Sequence, residues 1–521
     1  MTKTNNLTQQ RIKTHLSDYQ RLEDRFGLPK AGAIFNCLKA LQESDRSVVL
    51  EMEDYLQAQL GVTRAEQRRL ASQYDMFVQP HPNGANHQPS QKLHRTLLGL
   101  SGEPKQIRHR GPLLSKVNEN SSHLDAYLAL GGYTAARQAL NECSPEQILD
   151  EVKTSQLRGR GGAFFPVGIK WEAATKQEAE RRFLICNADE GEPPTRKDKL
   201  LMERAPHLLI EGMLIAAKAI GVRLGIVYVR GDYEESLQIL SDAVSEAQAD
   251  GWLGEDIQGS GFSFDIHIFA GSGSYVAGCD TAMIESLEGK AAMPRPTPPY
   301  PVENGLAGYP TVVNNVETLC NIPIILEVGG ESFATTGSPD CTGTQIFGLC
   351  GDIAQPGFYE LPIGFKLDDL ITMGGGVIEL HQGQPIPGRL KAVSPGGATT
   401  GLLNAEEVQQ AYLEPASLAI YGANSGSGAV AVFNQQRDLL DYAQDVLDFL
   451  AEESCGNCIQ CTVSIRKAQH SLSYLRGGKA SLSIVDEMTA QARLLAQILK
   501  CGLGRGAYNT AISAAAKFPE G

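Results

Sequence analysis

The chain has 521 residues, more than one hydrophobic core organises, so several domains are expected. Its composition is that of a water-facing globular protein, 42% hydrophobic and 20% charged, with 54 glycines. A net charge of −14, from 46 basic and 60 acidic residues, argues against nucleic acid as a partner.

The polar start Met1-Thr2-Lys3-Thr4-Asn5-Asn6 has no apolar core of a secretory signal. The most apolar run, residues 207–221, is broken by Glu211 and Lys218, so no membrane span is expected. An odd number of cysteines, eleven, fits a reducing cytoplasm. Residues 1–80 show helical spacing through Ile34, Leu38 and Leu41 and again through Met52, Leu56 and Leu60. Thr63 followed by Glu66 has the form of a capping box. Residues 81–110, with Pro82, Asn83-Gly84 and Pro89, read as a linker.

From residue 111 to 335 short apolar runs alternate with helical stretches. Residues 183–187, 225–229 and 265–269 suit buried strands of a parallel sheet, with a helix over 208–220 between the first two. Residues 336–425 are dense in glycine and proline; 346–349 and 357–361 form an expected hairpin, followed by a helix over 366–373. Residues 426–521 are helical, with amphipathic stretches from Leu439 to Leu450 and over 484–499.

Chemistry concentrates in four places. Cys455, Cys458 and Cys461 stand as C-x2-C-x2-C, with Cys501 forty positions on. That spacing brings three thiolates to one object from a single loop, with a remote fourth to close the shell, as in a [4Fe–4S] cluster. A closed four-thiolate zinc site is the alternative. The seven other cysteines read as packing residues. Arg158-Gly159-Arg160-Gly161-Gly162 offers close backbone approach to an anion and two charged donors, or else a glycine-rich surface turn. Asn187-Ala188-Asp189-Glu190-Gly191-Glu192 follows a predicted strand, where α/β sheets bind ligands, or forms a solvated acidic turn. A third glycine run ends in Tyr275 and leads to Gly278 and Asp280; Asn314, Asn315 and Thr318 follow later.

In order, RGRGGxxFPxGxKW, CNADEGEP, GSGSYxxGxDTAxIESLEGK, PTVVNNVETL and ESCGxCxxC…C resemble the NADH-binding flavoprotein subunit of respiratory complex I. The same family includes the diaphorase subunit of NAD-reducing hydrogenases and the beta subunit of NAD-dependent formate dehydrogenases. The resemblance spans residues 110–521, and residues 40–85 more weakly resemble the helical part of the thioredoxin-like partner subunit, without its [2Fe–2S] cysteines. It implies an α/β multidomain fold. A Rossmann-like FMN/NAD domain (111–335) precedes a ubiquitin-like β-grasp domain (336–425), and a helical bundle carries the cluster (426–521). It implies that Gly159, Arg160, Gly161, Gly162 and Lys170 line the dinucleotide and flavin site, with Asn187, Asp189, Glu190, Glu192 and Tyr275 meeting flavin and NADH. Gly278 and Asp280 then lie beside the flavin, and Asn314, Asn315 and Thr318 on the FMN phosphate side. Glu190 and Glu192 are the expected catalytic carboxylates. The implied function is passage of electrons between NAD(H), FMN and the [4Fe–4S] cluster, since a flavin converts two-electron into one-electron transfer. The implied partners are a thioredoxin-like [2Fe–2S] subunit and a hydrogenase or formate dehydrogenase module.

Several positions depart from the family pattern. Phe164 stands where the family has glycine, Pro194 replaces a glycine, Arg196 an aromatic, and Cys279-Asp280 a pair of glutamates. A phenyl ring at 164 is expected either to fill the nicotinamide's volume or to stack beside the flavin. The first outcome leaves a relay or assembly subunit that no longer binds NADH productively; the second leaves the NADH-oxidising subunit intact. The N-terminal helices are expected to stand apart from the sheet domain and to dock a partner.

Overall fold

The structure, a computed structural model, describes residues 3–42, 46–73, 89–118, 121–477 and 483–520. The weakly matching segment beyond Gln73 and the polar stretch up to residue 88 lie outside the described residues. The element types place it among mixed α/β multidomain proteins. Among the described residues no helix is long and apolar enough to cross a membrane.

A four-stranded, all-parallel sheet runs in the order Asp265–Ala270, Leu224–Val229, Phe183–Ala188, Thr311–Asn315. Successive side chains on a strand point to opposite faces, so an unbroken apolar run serves two cores at once. Leu184, Cys186 and Ala188 face one core, with Val227, Val229 and Val312, under the helices Pro206–Ile220 and Val316–Val328. Phe183 and Ile185 face the other, with Ile226, Tyr228 and Val313.

That second face is covered by the N-terminal helices, which overturns the expectation that they stand apart. Tyr19 and Phe35, from the helices Lys3–Phe26 and Ile34–Gln42, belong to the same core as Phe183 and Ile185. Tyr19 meets His267 and Phe269 edge-on at 5.2 and 6.4 Å, and Phe35 meets Phe269 at 6.1 Å. A buried Leu, Ile or Phe side chain contributes roughly 1.5–3 kcal/mol, so stripping these helices from the sheet is costly. The Thr63 capping box forms: Thr63 N donates to Glu66 Oε2 (2.8 Å) and Glu66 N to Thr63 Oγ1 (3.3 Å).

A second sheet has the order Ile107–His109, Gly357–Pro362, Thr344–Gly351, Ala429–Asn434, Leu390–Ser394, Leu403–Asn404. The expected hairpin is its centre, with Phe347 opposite Tyr359. The sheet also takes Ile107–His109 from the predicted linker and Ala429–Asn434 from beyond residue 425. The rest of the linker is not plain coil either. Pro89–Leu98 is a helix whose Leu93 and Leu97 are fully buried in the core of the helix Leu439–Glu452. Lys92 Nζ lies 2.5 Å from Asp445 Oδ1, and Thr96 Oγ1 donates to Asp445 Oδ2 at 3.0 Å. Asp438 caps Leu439–Glu452 by accepting from Leu440 N and Asp441 N, both at 2.9 Å. The helices Ile459–Arg476, Ser483–Ile498, Gly502–Gly506 and Asn509–Lys517 complete the C-terminal unit.

Candidate active site

Because all four strands run the same way, their C-terminal ends share one edge, and every polar motif of the sequence arrives there. The glycine loop is closed by Gly159 N donating to Phe165 O (3.0 Å) and tied down by Arg160 N donating to Thr318 Oγ1 (2.8 Å). It lies so close to the end of the strand Thr311–Asn315 that a Cβ on Gly161 would stand 3.2 Å from Asn315 Cβ. Gly162 has φ +107°, open only to glycine. The N–H groups of Gly161 and Gly162 donate to no acceptor among the described residues, leaving two backbone donors at the crevice.

The arginines do not act as the anion donors the sequence suggested. Arg160 is fully buried, and its guanidinium donates to Thr344 O, Arg158 O and Thr342 O at 3.0, 2.9 and 2.6 Å. It is a joint between the glycine loop and the second sheet. Arg158 likewise donates to Asp340 O and Phe164 O. Lys170 is the basic group that stays at the crevice: Nζ donates to Val313 O (2.9 Å) and lies 3.6 Å from Asp280 Oδ2.

The acidic loop divides its tasks. Asn187 Nδ2 donates to Gly278 O (2.8 Å), and Asp189 N donates to Asn187 Oδ1 (3.2 Å). The Glu190 carboxylate accepts from Asp198 N and Lys199 N at 2.9 and 3.2 Å, so it holds the start of the helix Lys197–Arg204. Burial pushes its pKa up to about 7. Glu192 Oε2 accepts from Tyr275 OH (2.6 Å) and Oε1 from Thr399 N (2.8 Å), and burial raises its pKa against those bonds. Asp189 has neither oxygen hydrogen-bonded among the described residues.

Asn314 Oδ1 accepts from Trp171 Nε1 (2.8 Å). Asn315 is spent within the protein: Oδ1 caps the helix Val316–Val328, and Nδ2 donates to Asp198 Oδ2 (2.6 Å). Beneath it Lys197, 1% exposed, pairs with Asp198 and Glu317 at 2.7 and 2.9 Å. Lys197, Asp198 and Thr399 escaped the sequence reading, since residues so far apart carry no shared motif, and Glu453 stood in it only as the first residue of the cysteine motif. Only Lys197-Asp198, just after the acidic loop, offered a local signal.

Cys455, Cys458, Cys461 and Cys501 line one small cavity together with Ser454 and Asn457. Gly456, at φ +72°, turns the loop between the first two. Cys458 and Cys501 each sit at a helix start. Among the described residues no three candidate ligands are arranged to hold a single metal ion. Thiols spread round a cavity suit a cluster better than zinc, which needs every sulfur about 2.3 Å from one point. Burial raises the Cys455 and Cys461 thiols, and Cys501 to about 11, so loading the site releases protons. One direct link joins crevice and cavity. Tyr275 N donates to Glu453 Oε2 (2.8 Å), two residues before Cys455, and the Tyr275 ring meets Phe449 edge-on at 5.5 Å.

Residues 152–324 match the family model described as the Nuo51 FMN-binding domain, and residues 441–521 that of the NADH-ubiquinone oxidoreductase-F iron-sulfur binding region. An NADH-quinone oxidoreductase subunit of Rhizobium meliloti (strain 1021) is 40% identical over 397 residues, 76% of this chain and 92% of that protein. The chain belongs to this family of NADH-binding FMN and [4Fe–4S] subunits. The NAD-reducing hydrogenase HoxS subunit alpha of Cupriavidus necator is 39% identical over 394 residues, 75% of this chain and 62% of that one. A chain of the NAD+-reducing [NiFe]-hydrogenase in its air-oxidized state superposes with a TM-score of 0.74 at 28% identity, over 94% of this chain and 92% of its own.

Within this NADH-binding flavoprotein family the structure places the departures at Phe164, Arg196 and Cys279, and nothing in it explains Pro194. Phe164 adopts φ +51°, the left-handed conformation that favours the family's glycine. Its ring is 8% exposed and packs against Cys341 and Ile363 of the second-sheet unit, which is neither of the two positions expected for it. Phe165 is the exposed ring, with Lys170 Nζ 5.9 Å from its centre. Arg196 donates to Tyr233 OH (3.1 Å) and approaches His94 Nε2 (3.5 Å), binding the acidic loop to the helix Pro89–Leu98. Cys279 precedes the helix Asp280–Leu287, its thiol raised by burial.

Proposed function

We propose that the chain oxidises NADH at an FMN held in the crevice and passes the electrons singly through the cluster to a hydrogenase-type partner in the cytoplasm. The observation that carries this is the Tyr275–Glu453 hydrogen bond, which joins the nucleotide loops to the cluster loop within one molecule. FMN, when bound, supplies the exchange between a two-electron donor and a one-electron acceptor. The residues fit such a ligand: among the described residues Gly161 and Gly162 offer N–H donors with no acceptor, Lys170 a cation, and Asp189 a carboxyl with no hydrogen-bond partner. Glu190, Asn315 and Thr318 position rather than bind, since their oxygens are engaged within the protein. Glu192 and Tyr275 hold each other at the rim and orient what enters between the acidic loop and Thr399.

We read residues 111–335 as the Rossmann-like FMN/NAD domain, with the N-terminal helices as its second cover. The second sheet is then the ubiquitin-like β-grasp unit, running to Asn434, and the helices from Leu439 are the cluster bundle. A hydrogenase-type partner is supported by the hydrogenase chain that superposes over 94% of this one. The relay-only alternative loses its ground because Phe164 packs on Cys341 and Ile363.

The test is anaerobic. FMN-loaded protein mixed with NADH should bleach at the flavin band and reduce ferricyanide. Protein with a full flavin complement that stays inert to NADH would overturn the reading.

A further inference from the structure

Three carboxylates stand in the acidic loop, and two of them are fully engaged. Glu190 accepts from two backbone N–H groups, and Glu192 from Tyr275 and Thr399. Asp189 is different: it is 5% exposed, and both of its oxygens are buried without a hydrogen-bond partner among the described residues. It follows directly on the strand Phe183–Ala188, at the ligand edge of the sheet. Gly278 comes so close that a Cβ there would lie 3.2 Å from Asp189 O and 3.8 Å from Oδ2.

The charged groups that face it come from three elements. Arg230, after the strand Leu224–Val229, lowers its pKa but is itself committed to Asp232 through bonds of 2.8 and 3.2 Å. Asp232 and Glu453, the latter at the end of the cluster helix, oppose ionisation. Glu190, Glu192 and Tyr275 flank it with their polar atoms engaged elsewhere. An ionised carboxylate buried without donors is costly, so such a group holds a proton readily. Burial raises its pKa to about 7, leaving it able both to take and to release a proton near neutrality.

The reaction supplies such a proton. NADH gives up a hydride, which is one proton and two electrons. If the electrons leave singly through the cluster, one proton per NADH stays in the crevice. We propose that the Asp189 carboxylate accepts this proton. NADH is oxidised to NAD+, the one-electron acceptor is reduced twice, and the proton forms a bond to Asp189 Oδ. The carboxyl then returns it to solvent before the next turnover. This rests on the reading of the crevice as the FMN and NADH site.

The experiment measures the midpoint potential of the bound FMN in the whole protein from about pH 5.5 to 8.5, together with FMN content. It compares wild type with Asp189→Asn and Asp189→Glu. In wild type the potential should fall more steeply above about pH 7 than below it, because below it the proton freed when FMN is oxidised stays on Asp189 and above it that proton passes to solvent. Asp189→Asn should keep its FMN and lose the bend. Asp189→Glu should keep the bend, displaced along the pH axis. An Asp189→Asn protein with FMN and an unchanged bend overturns the proposal. So does loss of FMN in Asp189→Asn alone, which would make Asp189 a binding determinant. Wild-type protein that takes up no FMN overturns the reading of the crevice, and the proposal with it.

Discussion

Replacing Phe164 by alanine and, separately, by glycine resolves two opposing contributions at one position. Both variants remove a ring that is 8% exposed and packed on Cys341 and Ile363. Loss of a buried phenyl ring costs about 3–5 kcal/mol, and this small cluster belongs at the lower end. The backbone contribution has the other sign. At φ +51° a residue with a Cβ carries about 1–2 kcal/mol of strain that glycine does not. Glycine returns part of this through its greater freedom in the unfolded chain, about 0.5–1 kcal/mol. Phe164→Gly should therefore be more stable than Phe164→Ala by about 1 kcal/mol, the reverse of their order in a regular helix or strand. In a unit of this size that difference is roughly 2–4 °C in Tm, readable by thermal unfolding of the two proteins side by side. Because the ring points away from the crevice, both variants should keep the wild-type KM for NADH in ferricyanide assays. An alanine variant as stable as the glycine variant would refute the backbone argument. A KM that falls sharply in Phe164→Gly would place the ring in the nicotinamide's path after all.

Arg160→Ala should cost about 3–5 kcal/mol, measured by denaturant unfolding, because three buried carbonyls lose a charged donor; a mild loss of stability with abolished FMN binding would instead make it an anion ligand. Cys458→Ala should lose most of about four irons per chain, read by iron analysis of anaerobically prepared protein; zinc bound stoichiometrically in wild type without iron would end the cluster reading. His267, packed beneath Tyr19, has a pKa lowered by burial to about 4. The unfolded chain binds the proton more tightly, so stability is full above about pH 6.5 and falls by up to about 3 kcal/mol as pH drops toward 4. Proteolysis of the N-terminal helices should quicken over that range in wild type and less so in His267→Gln; identical pH profiles would refute the assignment.

The features legible in the sequence are those whose physics is local. Apolar runs such as residues 183–187 read as strands, and the Thr63–Glu66 pair read as a capped helix start because its bonds span three residues. The cysteine spacing announced a shared ligand because a loop of seven residues brings three thiols together without help from the rest of the fold. The family motifs, carried by glycine loops and strand ends, pointed to the same crevice.

Only the tertiary structure decided which of these polar residues are engaged within the protein. Arg160 and Arg158 looked like anion donors, yet the carbonyls of Asp340, Thr342 and Thr344, at and just before the start of a second-sheet strand, take up their guanidinium groups. Glu190 looked catalytic, yet its oxygens hold the start of a helix eight residues on. Asp189 looked like one acid among three, and proves to be the one whose oxygens accept no hydrogen bond among the described residues. The N-terminal helices looked separable, because nothing in residues 1–80 indicates which distant sheet face remains to be covered. A strand buried on both sides needs two covers, and the sequence of the strand records that need without naming the segment that meets it.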